Sequence, residues 1–161
     1  MSTHSVIGII HPNQSVECIT CHFDGYLEVN GRILYQHYQD VQKVNQLMKL
    51  GSLTWLAENI EPPKGEEHSY DKPYPDTTLA YMRDRHEKNQ ESVTLENFKE
   101  FMKEAHESDC EYIYVYDTYN NEWLCNTPMM NPYEYDFLKK ILEQELGMSE
   151  EELKYEQKME V

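Results

Sequence analysis

The rhythm of apolar and polar positions along this 161-residue chain predicts its elements. Residues 5–10 (Ser5, Val6, Ile7, Gly8, Ile9, Ile10) form a β-rich run, and His11-Pro12-Asn13-Gln14 is a turn signal. Residues 16–23 read as a second strand, so the chain opens with a hairpin. Asp24-Gly25-Tyr26 and Asn30-Gly31 mark a loop. The spacing then turns helical. Ile33, Leu34, His37 and Tyr38 share one face, and Val41, Val44, Leu47 and Met48 recur at helical spacing behind Asp40, a good capping residue. Gly51 stands where helices end in a left-handed residue. Ser52 reads as the start of a short helix with Leu53, Leu56 and Ile60.

Residues 61–76 hold Pro62, Pro63, Pro73 and Pro75 among charges and predict an extended loop. A strand is expected over 77–82 and a polar connection over 83–92. A helix capped by Thr94 follows, with Leu95, Phe98, Phe101, Met102 and Ala105 on one face. Residues 111–117 predict a strand with Tyr112, Tyr114 and Tyr116 on one side and Ile113 and Val115 on the other. Asn120-Asn121 turns the chain into a partner strand over 122–125. Asn131-Pro132 reads as an N-cap and first helical position of a helix reaching Leu146, with Tyr135, Leu138, Leu142 and Leu146 as its stripe and Gly147 as its stop. Ser149-x-x-Glu152 is a capping box for a last, polar helix. That helix has few apolar anchors (Leu153, Tyr155, Met159) and is expected to project from the body or pack on a partner. The sum is an α+β fold: a single domain with a mostly antiparallel sheet of about five strands and helices on one face. Residues 1–130 are its core and residues 131–161 a helical C-terminal extension of the same domain.

Charge narrows what such a domain can touch. Residues 1–60 carry three basic and five acidic side chains. Residues 61–161 carry the other eleven and twenty-five, so −14 of the total −16 lies there. A negative field of this size disfavours nucleic acid and anionic membranes and favours basic protein surfaces. The N-terminus, Met1-Ser2-Thr3-His4, lacks the basic and apolar run of a signal peptide, so a cytoplasmic protein with Cys18, Cys21, Cys110 and Cys125 reduced is expected.

Candidate chemistry is sparse. Cys18-Ile19-Thr20-Cys21-His22 matches a c-type haem attachment pattern, but on a strand the two cysteines point to opposite faces. Cys110 and Cys125 lie singly on separate segments, unlike the two local pairs of a structural zinc site. A Cys21 or Cys125 nucleophile beside a histidine lacks a recognisable local context. The reading is therefore a protein without catalytic residues, cofactor or metal. Arg83-Asp84-Arg85 is either a recognition element or a set of internal ion pairs with Asp84 and Glu87, the second being the commoner outcome.

The string Cys21-His22-Phe23-Asp24-Gly25-Tyr26, followed by Gly31-x-x-Leu34-x-x-His37-Tyr38, Lys43-Val44, Leu50-Gly51-Ser52-Leu53 and Ala80-Tyr81-x-Arg83-Asp84-Arg85, resembles a family of small proteins scattered through bacteriophages and prophages. The resemblance covers roughly residues 5–86, with a looser match to the Tyr-rich hairpin ending at Trp123. Many members have Trp where this chain has Phe23 and Pro where it has Leu27, and the acidic tail after residue 130 lies outside the common pattern. Within the group, the size, acidity and tail are most similar to the T-even bacteriophage Lon protease inhibitor type. That likeness implies a non-enzymatic protein of the host cytoplasm that binds the ATP-dependent protease Lon. It would block degradation of protein substrates by clamping or obstructing conformational and translocation steps rather than the proteolytic site. His22, Asp24, Gly25, His37 and Tyr38 then read as polar framework. Partner-binding candidates are Glu150, Glu151, Glu152, Tyr155 and Glu156 on the tail, with Arg83, Arg85 and Tyr26. A homodimer is compatible with the sequence. The alternative is an acidic DNA mimic that inhibits a host restriction or DNA-binding protein. Against it, the acids are interrupted by Lys88, Lys99, Lys103, Lys139 and Lys140.

Overall fold

The structure is a computed structural model that describes residues 2–159, with the side chains of 155–159 outside the description. It is an α+β fold around one mixed sheet of eight strands rather than the expected five or so, because several strands are too short to show in the sequence pattern; numbered along the chain, their order is β4-β3-β2-β1-β6-β7-β8, with β5 also on β2. Strand β1 (Ser5–Ile10) and β2 (Val16–Cys21) form the expected hairpin. The chain then makes a π-helical turn (Leu27–Gly31), helix α1 (Arg32–His37) and helix α2 (Val41–Leu50), and returns as β3 (Leu53–Trp55) parallel to β2. Asp40 caps α2 by accepting the Gln42 N–H at 2.9 Å. Gly51 ends it at φ +76°, where a Cβ would lie 2.3 Å from the Gln90 carbonyl oxygen, so both conformation and space demand glycine.

The expected helix after Ser52 is instead β3. Ser52 N–H donates to Gln90 O at 2.8 Å, which commits the backbone to an extended path, and Leu53 pairs with Cys21. The expected strand over 77–82 shrinks to β4 (Leu79–Ala80), and the expected polar connection begins as helix α3 (Tyr81–Arg85). The cause is Asp84, whose carboxylate reaches back to the Ala80 N–H at 2.8 Å, as the acid of a capping box does. Residues Val93–Leu95 form β5, antiparallel to the start of β2, so Thr94 is no cap. Helix α4 (Phe98–Glu107) starts from Asn97, whose side chain accepts the Glu100 N–H.

Strand β6 (Tyr112–Asp117) lies parallel to β1 and antiparallel to β7 (Glu122–Asn126). A two-residue β8 (Asp136–Phe137) closes the sheet, and helix α5 (Leu138–Leu146) starts there rather than at Pro132. Asn126 explains the late start: its amide donates to the carbonyls of Asn131 (2.8 Å) and Glu134 (2.7 Å) and holds that segment as a turn. Gly147 ends α5 in the left-handed region, and Ser149 Oγ accepts the Glu152 N–H at the start of α6 (Glu150–Met159).

Both faces of the sheet are covered, which corrects the expectation of helices on one face. Ile7, Ile9, Tyr114, Tyr116, Trp123 and Cys125 face the larger core with α1, α2 and α5. Val6, Val16, Ile113 and Val115 face Phe101 and Ala105 of α4 on the other side. In the larger core, Trp123 meets Tyr116 edge-on at 5.3 Å and donates its indole N–H to Tyr38 O at 2.8 Å. The expected projecting tail also needs correction. Leu153 is fully buried in that core with Leu138 and Leu142, so the first turn of α6 belongs to the body. Tyr155 and Met159 lie outside the described side chains. No helix of the described residues is long and apolar enough to cross a membrane.

Burial of this kind predicts that Leu153→Ala costs about 2–4 kcal/mol in urea denaturation, whereas a side chain on a projecting helix would cost under about 0.5 kcal/mol.

Candidate functional site

The segments 21–26, 50–53 and 80–85 are far apart in sequence and meet at one end of the sheet. Cys21 pairs with Leu53, and Leu53 with Ala80. The His22 and Phe23 amides extend the contact to the carbonyls of Leu53 and Thr54, each at 3.0 Å. Gly25 fits because a Cβ there would come within 2.8 Å of the Ser5 Cβ, and its carbonyl accepts the Tyr114 hydroxyl at 2.7 Å. His37 lies 3.5 Å from the Glu58 carboxylate, and the Tyr38 hydroxyl donates to Ala57 O at 2.8 Å.

Arg83 is spent inside this framework. Its guanidinium pairs with the buried Asp84 carboxylate at 2.9 Å and donates to the carbonyls of Ile60 and Thr78, each at 2.8 Å. His68 completes the clasp. Its Nδ1 accepts the Tyr74 N–H at 2.9 Å, so Nε2 carries the proton and donates to Thr78 O at 2.9 Å. These bonds fix the proline-rich loop against the β4 side. Arg85 is exposed, lies 4.7 Å from the centre of the Tyr70 ring and pairs with Glu87 at 3.5 Å. Tyr26 is half-buried, its hydroxyl 3.4 Å from Asp24 Oδ1. The two arginines thus lie on α3, whereas Tyr26 immediately precedes the π-helical turn, which packs on α5.

The cysteines are divided as their spacing requires. Cys21 lies in the larger core and Cys18 against the α4 core, so the pair cannot serve one haem edge. All four thiols are free. Burial, the dominant cause, pushes Cys18 up to about 11 and Cys21 and Cys125 up to about 12. Thiolate is scarce at neutral pH under these conditions. No group of three or more His, Cys, Asp or Glu side chains placed to hold a metal occurs among the described residues.

One constellation had no sequence signal. The His4 and His22 rings lie 4.6 Å apart at a 33° tilt, Ser2 Oγ lies 3.3 and 3.4 Å from their Nε2 atoms, and His4 Nδ1 is 3.5 Å from Asp109. The separations exceed those of a nucleophile–base pair, and the Asp109 side chain, 85% exposed, cannot orient the imidazole as a buried carboxylate does.

The surface beside β8 combines charge with exposed apolar groups. Glu150 pairs with Lys139 at 3.1 Å and with Lys154 at 3.4 Å, and the Lys139 hydrogen bond is the first cause of its lowered carboxyl pKa. Lys140 pairs with Asp136 at 2.9 Å. Glu143, Glu145, Glu151 and Glu152 are exposed and have no ion pair among the described residues. The Tyr155 and Glu156 side chains lie outside the described ones. At and before β8 stand Met129, 88% exposed, Tyr133, 56%, and Phe137, 47%, with Tyr133 on the α4 side of the sheet. The Asn126 clasp presents them on an ordered turn, where Tyr133 meets His106 edge-on. Sequence reasoning missed these three because it placed Tyr133 and Phe137 within a helix running from Asn131-Pro132 to Leu146. The Met129-Met130-Asn131-Pro132-Tyr133 run, apolar but broken by proline, was the available signal.

Comparison with protein-family models, with curated proteins and with solved structures finds no match to this chain.

Two outcomes test the framework. Arg83→Ala, which strands the buried Asp84 carboxylate, is expected to cost about 3 kcal/mol in urea denaturation and to open the 61–76 loop to trypsin, while Arg85→Ala stays within about 0.5 kcal/mol. The raised thiols favour the folded state below their ordinary value of 9.0, and that stability is lost as pH rises from there toward about 12. A plot of urea midpoint against pH falls over that window, and Cys125→Ala makes it less steep.

Proposed function

We propose that this protein is a non-enzymatic phage inhibitor that binds the host ATP-dependent protease Lon as a folded ligand and blocks degradation of protein substrates. The resemblance of residues 5–86 to the phage family supports the class. The observation that carries the binding mode is the exposure of Met129, Tyr133 and Phe137 at and before β8, together with the exposed carboxylates of Glu143, Glu145, Glu151 and Glu152, which have no ion pair among the described residues. Exposed apolar side chains suit the centre of a protein-binding surface, and the negative field of the acids speeds encounter with a basic one. The loops that a protease would seize first are clasped: 61–76 by Arg83 and His68, and 127–134 by Asn126. A body so tied resists threading and suits a clamp on moving domains, which requires tighter binding to one conformation of the protease. A DNA mimic is less well supported, because Lys139, Lys140 and Lys154 neutralise part of the acidic row that would have to imitate phosphates.

The test is Lon activity on an unfolded protein and on a small peptide substrate. Saturating inhibitor is expected to abolish protein cleavage and to leave peptide cleavage largely intact, and undiminished protein cleavage would refute the proposal. Tyr133→Asp with Phe137→Asp should weaken inhibition about thirtyfold or more. Gln at Glu143, Glu145, Glu151 and Glu152 should slow association and flatten its dependence on salt.

A further inference from the structure

Two short strands share the outer edge of β2, and they leave a gap. Strand β5 pairs with Val16, Glu17 and Cys18, and β3 pairs with Cys21, so Ile19 and Thr20 have no strand beside them on that edge. A pocket of about 180 Å³ opens in the gap on the α4 side of the sheet. Val6, Cys18, Phe101 and Ala105 form its apolar walls, and Val93, 57% exposed, stands at its mouth. The Thr20 and Ser52 hydroxyls, 3.0 Å apart, mark the β3 side of the rim. Two exposed carboxylates, Glu91 and Glu104, complete it, and no Lys, Arg or His lines the pocket among the described residues.

Size decides what fits. An apolar cavity of about 150 Å³ takes a benzene-sized group, whereas drug- or cofactor-sized ligands need about 300–1,000 Å³. The pocket therefore accepts one branched aliphatic or single-ring side chain. Charge decides what must accompany it. Glu104 lies close enough to contribute, after burial, Cys110 and Glu17, to the raised pKa of the Cys18 thiol, so the negative field extends inward from the rim.

We propose that this pocket is a docking site for a single apolar side chain (Leu, Ile, Met or Phe) on a segment of a protein partner that carries Lys or Arg beside it, the cation meeting Glu91 and Glu104. The site lies on the β2 side of β1, away from β8 in strand order, and has α4 in common with the surroundings of Tyr133.

Methyl NMR of the full chain, titrated with the blocked peptides Arg-Leu-Arg, Arg-Ala-Arg and Glu-Leu-Glu, reads the site directly through Val6, Val93, Leu95 and Ala105. Arg-Leu-Arg is expected to give saturable shifts confined to these methyls, and the other two peptides to bind at least about tenfold more weakly. Thr20→Arg places a competing cation at an exposed position of the rim, and Cys18→Leu fills the floor. Each should reduce Arg-Leu-Arg binding about tenfold or more with an otherwise native spectrum. Should Cys18→Leu disturb the fold, Thr20→Arg alone decides. Equal binding of Arg-Leu-Arg and Glu-Leu-Glu, shifts spread over the whole surface, or binding unchanged in Thr20→Arg overturns the proposal. So does occupation by n-butanol with the same affinity as Arg-Leu-Arg, which would make the gap a generic apolar cavity.

Discussion

Strand β1 constrains everything else. It pairs along its whole length with β2 on one edge and β6 on the other, and its side chains reach two cores on opposite faces. A strand so enclosed has no solvent side, which is why Val6, Ile7, Ile9 and Ile10 run together without polar alternation. Gly8 fits the same logic, since a Cβ there would meet the Glu17 carbonyl at 3.0 Å and the Cys18 Cβ at 3.2 Å. The parallel register with β6 also sets the tyrosines Tyr114 and Tyr116 beside Ile7 and Ile9, and these four wall the larger core.

What hydrophobic burial leaves loose, single polar side chains fasten. Asp84 and Arg83 join β4, α3 and the chain near Ile60, His68 ties the proline-rich loop to Thr78, and Asn126 shapes the turn before β8. All four of these side chains lie in residues 61–161, the part that also carries the exposed acids of α5 and α6 and the apolar groups beside β8. The same half of the chain thus holds both the polar clasps and most of the charge.

Local signals were legible in the sequence and distant ones were not. The Asp40 cap, the Gly51 and Gly147 stops, the first hairpin and the two faces of β6 are written within a few residues and appear in the structure as read. Strands β3, β4, β5 and β8 have two or three residues each, too short to show an alternation. The start of α5 depends on Asn126, which belongs to a different strand, and the start of α3 on a carboxylate that had read as part of a charged connection. The second helical layer was written in the apolar faces of Ile113 and Val115, which would have no cover if helices lay on one side only. For the site, the pairing of Arg83 with Asp84 and the opposed cysteines follow from spacing. Met129, Tyr133 and Phe137 could be recognised as surface only once the turn that lifts them was known.

The parallel pairing of Ser5 with Tyr112, and the burial of Leu138, Leu142 and Leu153 behind it, have a consequence in time. The β1–β2 hairpin is synthesised well before β6, its central neighbour, and its core is sealed only by residues that follow later still. Loops this long close slowly, and long-range parallel pairing folds more slowly than local helices do. Nascent chains therefore expose the β1–β2 apolar face until β6, α5 and Leu153 have been made.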